Sequence, residues 1–252
     1  MILEALNYLA TWPLTTADHR SSIRYSVNLW SRASRCAKDW AAHEDNSKRA
    51  MLSAIADLKQ TRTAVVLGSG LLRDVPIVEL AKTFDTVVLV DLVHLASVRA
   101  WLRIKGLHNV RSIERDLSGF DALIAGREAQ PLDFLRQVPY LDFVASANLL
   151  SQIGRGAKRR LEASGQPAME PVAQLARTHI DGLQNLPCRT CLITDIAYGL
   201  IDRTGQQHES FDLLYGAEPP MHSAQWDWPV VPLGEESPDY RIVHTVIAAI
   251  HG

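Results

Sequence analysis

The sequence predicts an α/β fold: a doubly wound, seven-stranded, mostly parallel sheet with an antiparallel last strand, preceded by a helical N-terminal segment. Three observations predict it. From Thr63 onward, short apolar β-branched runs alternate with amphipathic stretches, the pattern of a parallel sheet covered on both faces. A glycine pair, Gly68 and Gly70, closes the first run, and Asp91 closes the second about 20 positions later. After Ile201 the helical stretches stop and two strand-like runs remain, FDLLYG and YRIVHTVIAAI, which suit an antiparallel edge.

Residues 1–60 carry helical periodicity: Ile23, Val27, Trp30 and Ser34 share one face, and Met51, Ile55 and Leu58 another. Between Trp40 and Met51 the stretch AHEDNS breaks the apolar pattern, and Asp45 or Asn46 is expected to cap a second helix there. The chain thus divides into a helical lid segment, 1–60, and a main domain, 61–252. The first five strands are read in TAVVLGSG, TVVLVDL, VRSIERD, LDFVASANLL and TCLITDIAYG. A helix near Val75 to Phe84 has Asp74 before it and Pro76 in its first turn. The next, from His94 to Lys105, packs Leu95, Val98 and Leu102 and stops at Gly106. Ala217 to Asp239 reads as one long loop, a length that in compact domains usually has a function.

Composition narrows the class. The 252 residues leave room for one large domain, and 47% hydrophobic with 21% charged residues indicates a packed core. A formal charge of −2 provides no positive field for nucleic acid or an acidic membrane surface, so neither partner is expected. No run approaches the roughly 18 apolar residues of a membrane helix. Glu4 stands where a signal peptide would be basic. Cys36, Cys188 and Cys191 are too few for a disulfide framework. The expectation is a cytoplasmic protein, with nothing that indicates an oligomer.

The glycine turn ending the first strand lets a ligand approach the backbone and points amides and the next helix at it. A dinucleotide site needs a further glycine where this chain has Arg73. With Asp116 after the third strand run, the arrangement resembles the class I S-adenosylmethionine-dependent methyltransferase family over about residues 61–252. The resemblance implies S-adenosyl-L-methionine as cofactor. It places Gly68, Ser69 and Gly70 at the methionine part, Asp91 at the ribose, Leu92 and Val93 beside the adenine, and Asp116 with Leu117 at the adenine amine. The segment ending the fourth strand looks like the family's fourth motif, with Asn148 and Gln152 bordering cofactor and acceptor. The chain has Leu72 where the family often has a third glycine, and no Asn-Pro-Pro-Tyr-like tetrapeptide, which argues against amino methylation of nucleobases or glutamine.

The implied activity is methyl transfer to a small-molecule acceptor. Acceptor-binding candidates are Tyr25 and Arg32 in the N-terminal helices, Gln152, and Trp226, which with Trp228 suits an aromatic wall. If the acceptor is a hydroxyl, the base candidates are Asp195, Tyr198 and His222. Arg155, Lys158, Arg159 and Arg160 form a basic run suited to an acceptor anion or to a solvated helix face. Cys188 and Cys191 have the spacing of half a zinc site without a second half, so no metal is expected. The rival readings are a cofactor-binding regulatory protein without transfer activity and an NAD(P)-dependent oxidoreductase. The latter is disfavoured by Arg73 and by the lack of a Tyr-x-x-x-Lys pair.

Overall fold

The computed structural model describes residues 1–252. In chain order the elements are α1 (Ile2–Thr11), α2 (Ile23–Arg35), α3 (Ala37–Ile55), β1 (Thr63–Leu67), α4 (Ile77–Thr83), β2 (Thr86–Asp91), α5 (Ala96–Ile104) and β3 (Val110–Glu114). Then follow α6 (Phe120–Ile124), β4 (Leu141–Ala147), α7 (Leu150–Ala163), α8 (Met169–Gln184), β5 (Arg189–Asp202), β6 (Gln207–Asp212), β7 (Ala224–Val231) and β8 (Tyr240–His251).

The sheet order is β3-β2-β1-β4-β5-β8-β7, with β1 to β5 parallel and β8 antiparallel to both β5 and β7. β1 is central, as the glycine turn requires. Its alternate residues divide between two cores: Ala64 and Val66 pack with Leu80, Leu89 and Phe143, whereas Val65 and Leu67 pack with Leu135, Leu150, Ile180 and Leu192. That is the doubly wound arrangement. The sheet carries one strand more than seven, because β5 runs past its neighbours to Asp202 and folds back as β6. The Asp202 carboxylate builds this hairpin by accepting from the Thr204 and Gln206 amides and the Thr204 hydroxyl.

The N-terminal helices share the main core: Ile23 and Val27 of α2 and Met51, Ala54 and Ile55 of α3 belong to the same cluster as β1, β2 and β4. Helix α1 completes α5, which has no side-chain cap of its own. Thr11 Oγ1 accepts from the Ala96 amide at 2.9 Å and Asn7 Oδ1 from the Ser97 amide at 3.3 Å, satisfying two of the orphan donors at that helix start.

Three local readings are corrected. Helix α3 runs unbroken through AHEDNS, leaving Asp45 and Asn46 in its interior, while His43, Glu44 and Ser47 turn inward. The long loop holds β7, an edge strand whose register slips between Trp228 and Val231, around Pro229. Proline has no amide to donate, and edges and bulges are where a sheet accepts it. Of FDLLYG only Phe211 and Asp212 are strand. The Asp212 carboxylate then accepts from the Leu214 and Gly216 amides, turning Leu213 and Leu214 into the core. β6 accordingly pairs β5, not β8. No helix is long and apolar enough to cross a membrane.

Candidate active site

The turn after β1 is held from below and from the side. Gly68 has φ +70° and its amide donates to the Val90 carbonyl at 2.9 Å. A Cβ there would lie 2.7 Å from Leu149 Cβ and 3.0 Å from the Ala147 carbonyl, so β4 closes against the bare backbone. Gly70 has φ +46° and only the Gly68 carbonyl, at 3.8 Å, within reach of a Cβ, which leaves open space above it. Leu72 takes the same left-handed region, φ +60°, at the position where the family often has its third glycine. The loop therefore keeps a glycine-like path while Leu72 buries its side chain, at a backbone cost of about 1–2 kcal/mol.

Asp91 joins this turn to β2. Its two carboxylate oxygens accept from the Gly70 and Leu92 amides, each at 2.7 Å. Burial raises its pKa above the usual carboxylate range, opposed by those amides and by His94.

Over the neighbouring strand ends lies a polar cluster roofed by α3. Asn148, φ +48°, follows β4, and its amide nitrogen donates to Asp74 Oδ2 at 2.6 Å while lying 3.2 Å from His43 Nε2. The Trp226 indole donates to His43 Nδ1 at 3.1 Å, and Trp228 stacks on the His43 ring at 4.0 Å and 8°. An indole can only donate, so the His43 proton belongs on Nε2, where it faces the Asn148 amide nitrogen, donor against donor. Asn148 Oδ1 is buried without a partner, as are Ser69 Oγ and Trp228 Nε1. Rotating the Asn148 amide would satisfy His43 but turn its oxygen toward Asp74. A buried set left unsatisfied in this way suits a ligand that supplies the missing partners. Beside it, Arg73 bonds Glu44 at 2.6 Å. Burial raises the Glu44 pKa, against the guanidinium.

One step along the sheet edge, His244 Nδ1 of β8 meets Asp195 Oδ2 of β5 at 2.5 Å, with both side chains at 3% exposure or less. Burial works against the charge on Asp195, but its hydrogen bond with His244, helped by the Ser151 hydroxyl and Arg155, outweighs it, so its pKa is lowered. Tyr198 stacks on His244 at 5.6 Å and Trp228 meets it edge-on at 5.8 Å.

Burial lowers the pKa of both His43 and His179 from 6.5 to about 4. Between those values the unfolded chain binds protons that the folded chain refuses, so their contribution to stability is full above 6.5 and falls as pH drops toward 4. Chemical denaturation across this window should show stability falling with pH, and the fall should be smaller in His179→Gln. An identical pH profile in that variant would show that His179 titrates normally.

The residues chosen from sequence divide into two groups. Gly68, Ser69, Gly70, Asp91 and Leu92 line the turn, with Val93 buried behind it. Asn148, Trp226, Asp195 and Tyr198 belong to the adjoining cluster, and Gln152 supports it by donating to the Asn148 carbonyl at 2.7 Å.

Three residues lie elsewhere: His222, Tyr25 and Arg32. His222 is exposed before β7, bonded only to the Pro220 carbonyl and beside Ile180, Leu183 and Thr190; the unforeseen β7 carries it down the edge of the sheet, away from the cluster. Asp116 follows Arg115, whose amide donates to the Asp91 carbonyl at 2.9 Å, so it stands next to the Asp91 strand end, exposed and accepting from the Ser118 amide at 2.7 Å, while Leu117 is buried in the core. Tyr25 and Arg32 line a groove of about 630 Å³ with Met1, Glu4 and Arg35, and no strand-end residue lines it. Arg32 is paired with Glu236, and Arg35 with Glu235 at 2.6 Å, so the turn between β7 and β8 occupies both guanidinium groups. No group of three or more His, Cys, Asp or Glu side chains is arranged to hold a metal. His43 and His244 were not singled out from sequence, where polar residues on otherwise buried faces were the available signal, and Asp74 was read only as the residue before a helix.

No family model matches the chain, and no curated protein matches it. Among solved structures it is similar to the N-methyltransferase NodS from Bradyrhizobium japonicum WM9 in complex with S-adenosyl-L-homocysteine, at 12% identity over 83% of this chain and 86% of that one, TM-score 0.43. It is similar to the 1,6-didemethyltoxoflavin-N1-methyltransferase of Burkholderia thailandensis at 15% identity over 93% and 91% of the two chains, TM-score 0.41. It is also similar to the 23S rRNA methyltransferase ErmE at 12% identity over 80% and 66%, TM-score 0.34.

Proposed function

We propose that this chain is a class I S-adenosylmethionine-dependent methyltransferase acting on a small-molecule acceptor. The observation that carries the proposal is the turn from Gly68 to Gly70 after the central strand, tied to Asp91 at the end of the next strand. The residues fit the cofactor: a Cβ would fill the open floor over Gly70, and each Asp91 oxygen keeps lone-pair capacity for a ribose hydroxyl beyond its one backbone donor. Gly68, Ser69 and Gly70 would hold the methionine part, Leu92 would flank the adenine, and Asp116 would border its edge, with Val93 and Leu117 packing beneath from the core. When bound, the cofactor supplies a methyl group already activated on a sulfonium.

The chain's own work is then positioning and exclusion of water. Helix α3 supplies the roof through His43, the partner of Trp226 and Trp228, and Asn148 stands between turn and roof. A nicotinamide dinucleotide fits less well, because Arg73 occupies the place of its third glycine and is tied to Glu44. Titration calorimetry and thermal shift with S-adenosylmethionine, S-adenosylhomocysteine, NAD and NADP test the reading. The first two should bind, adding about 2.7 kcal/mol of stability at a hundredfold excess over Kd. Binding of NAD or NADP instead, or of none of the four, would overturn it.

A further inference from the structure

We infer that His244, oriented by Asp195, is the base that takes the proton from a weakly acidic hydroxyl, a phenol or an enol, on the acceptor; the inference rests on the methyltransferase reading. The geometry sets the tautomer. The Asp195 carboxylate can only accept, so the proton of the neutral ring lies on Nδ1 and Nε2 is left as a bare lone pair with no hydrogen bond in the structure. The two residues are 49 positions apart on neighbouring antiparallel strands, held by the long β5 and β8 ladder, which is a rigid base for a pair of this kind.

The surroundings favour a planar, hydroxyl-bearing occupant. Tyr198 and Trp228 bring aromatic surfaces to His244, and His43 stacks on Trp228. Trp228 Nε1 is buried here without a partner, a donor suited to a ligand oxygen, and the Ser151 hydroxyl stands beside the Asp195 carboxylate. The charged and titratable groups around the pair are His43 from α3, Arg155 from α7, and Tyr198 on β5. An acceptor that is already a free nucleophile, such as a thioether or a tertiary amine, has no proton to lose and no use for the pair.

The proton transfer balances within the protein and acceptor. The acceptor O–H bond breaks, its electron pair stays on oxygen, and the proton forms a new N–H bond at His244 Nε2. The resulting imidazolium is stabilised across the 2.5 Å contact by the Asp195 carboxylate, which does not itself take the proton. The electron pair freed on oxygen is the one methylation consumes. In these terms His244 is the catalytic residue and Asp195 a positioning residue.

The test uses the full-length chain labelled with ¹⁵N-histidine, saturated with S-adenosylhomocysteine, and 4-nitrophenol as the hydroxyl probe. The ¹⁵N spectrum at neutral pH should show His244 protonated at Nδ1 and bare at Nε2, with the tautomer reversed in Asp195→Asn. At a pH below its own pKa, 4-nitrophenol should bind wild type as the yellow phenolate, with affinity at least about tenfold weaker in Asp195→Asn and His244→Gln. Asp195→Asn keeps the shape of the pair if His244→Gln does not fold. A protonated Nε2 in the wild type, probe bound only as the neutral phenol, or no probe binding would each overturn the inference. S-adenosylhomocysteine affinity is measured on the same samples. If it binds while the phenolate result fails, only this inference falls; if it does not bind, the methyltransferase reading falls with it.

Discussion

Gly68→Ala should destabilise the protein by several kcal/mol and abolish S-adenosylhomocysteine binding. Two costs combine at this position. A left-handed φ of +70° costs an alanine about 1–2 kcal/mol. The new Cβ would also stand 2.7 Å from Leu149 Cβ and 3.0 Å from the Ala147 carbonyl, and the latter is backbone that cannot rotate away. Relief requires β1 and β4, neighbours at the centre of the sheet, to move apart. Against a total stability of about 5–15 kcal/mol this is a large fraction. Gly70→Ala is the control: with φ +46° and nothing closer than 3.8 Å, its folding penalty should stay near 1 kcal/mol while its methyl group fills the ligand floor. Urea denaturation and titration calorimetry separate the effects. Equal denaturation midpoints for Gly68→Ala and wild type would show that the turn is looser than its geometry implies.

The parts of this molecule legible in its sequence are those governed by local rules. Strand β1 announces itself because a fully buried parallel strand needs a continuous apolar run, and the glycines after it are demanded by two positive φ angles. Asp91 was legible because one βα unit fixes its distance from the turn. Strand β7 was not, since AQWDWPVV combines a proline with an edge position that is mostly exposed on one side. The polar stretch in α3 looked like a helix break because its buried side faces a polar cluster, so the usual apolar signal is absent where the helix does its packing. The pairing of Asp195 with His244 is fixed by strand register across β5 and β8, which no spacing along the chain reveals. What sequence did offer was an acid within TCLITDIAYG and a histidine within YRIVHTVIAAI, ionisable residues inside runs otherwise suited to burial.

Asp91→Asn should leave a folded protein whose affinity for S-adenosylhomocysteine is at least about tenfold weaker, a loss of about 1.4 kcal/mol or more. The carboxylate performs two tasks that the amide cannot share. It accepts from the Gly70 and Leu92 amides at 2.7 Å, one on each oxygen, and asparagine has a single oxygen with which to replace them. One backbone N–H must then face an NH₂ group, and an unsatisfied buried donor costs about 1–3 kcal/mol. Part of that cost is returned, because burial already opposes the charge on Asp91 and the variant no longer carries it. Folding should therefore suffer less than in Gly68→Ala. Ligand binding has no such compensation: the bonds the carboxylate would offer to ribose hydroxyls are charge-assisted, and a neutral amide replaces them weakly. If instead Gly70 loses its anchor and the turn drifts, affinity falls for a second reason, and comparison with adenosine, which lacks the methionine part, separates the two. Loss at the ribose weakens both ligands alike, whereas a displaced turn weakens only S-adenosylhomocysteine. Unchanged affinity for both in a folded Asp91→Asn protein would confine Asp91 to holding the backbone and remove it from the proposed ribose site.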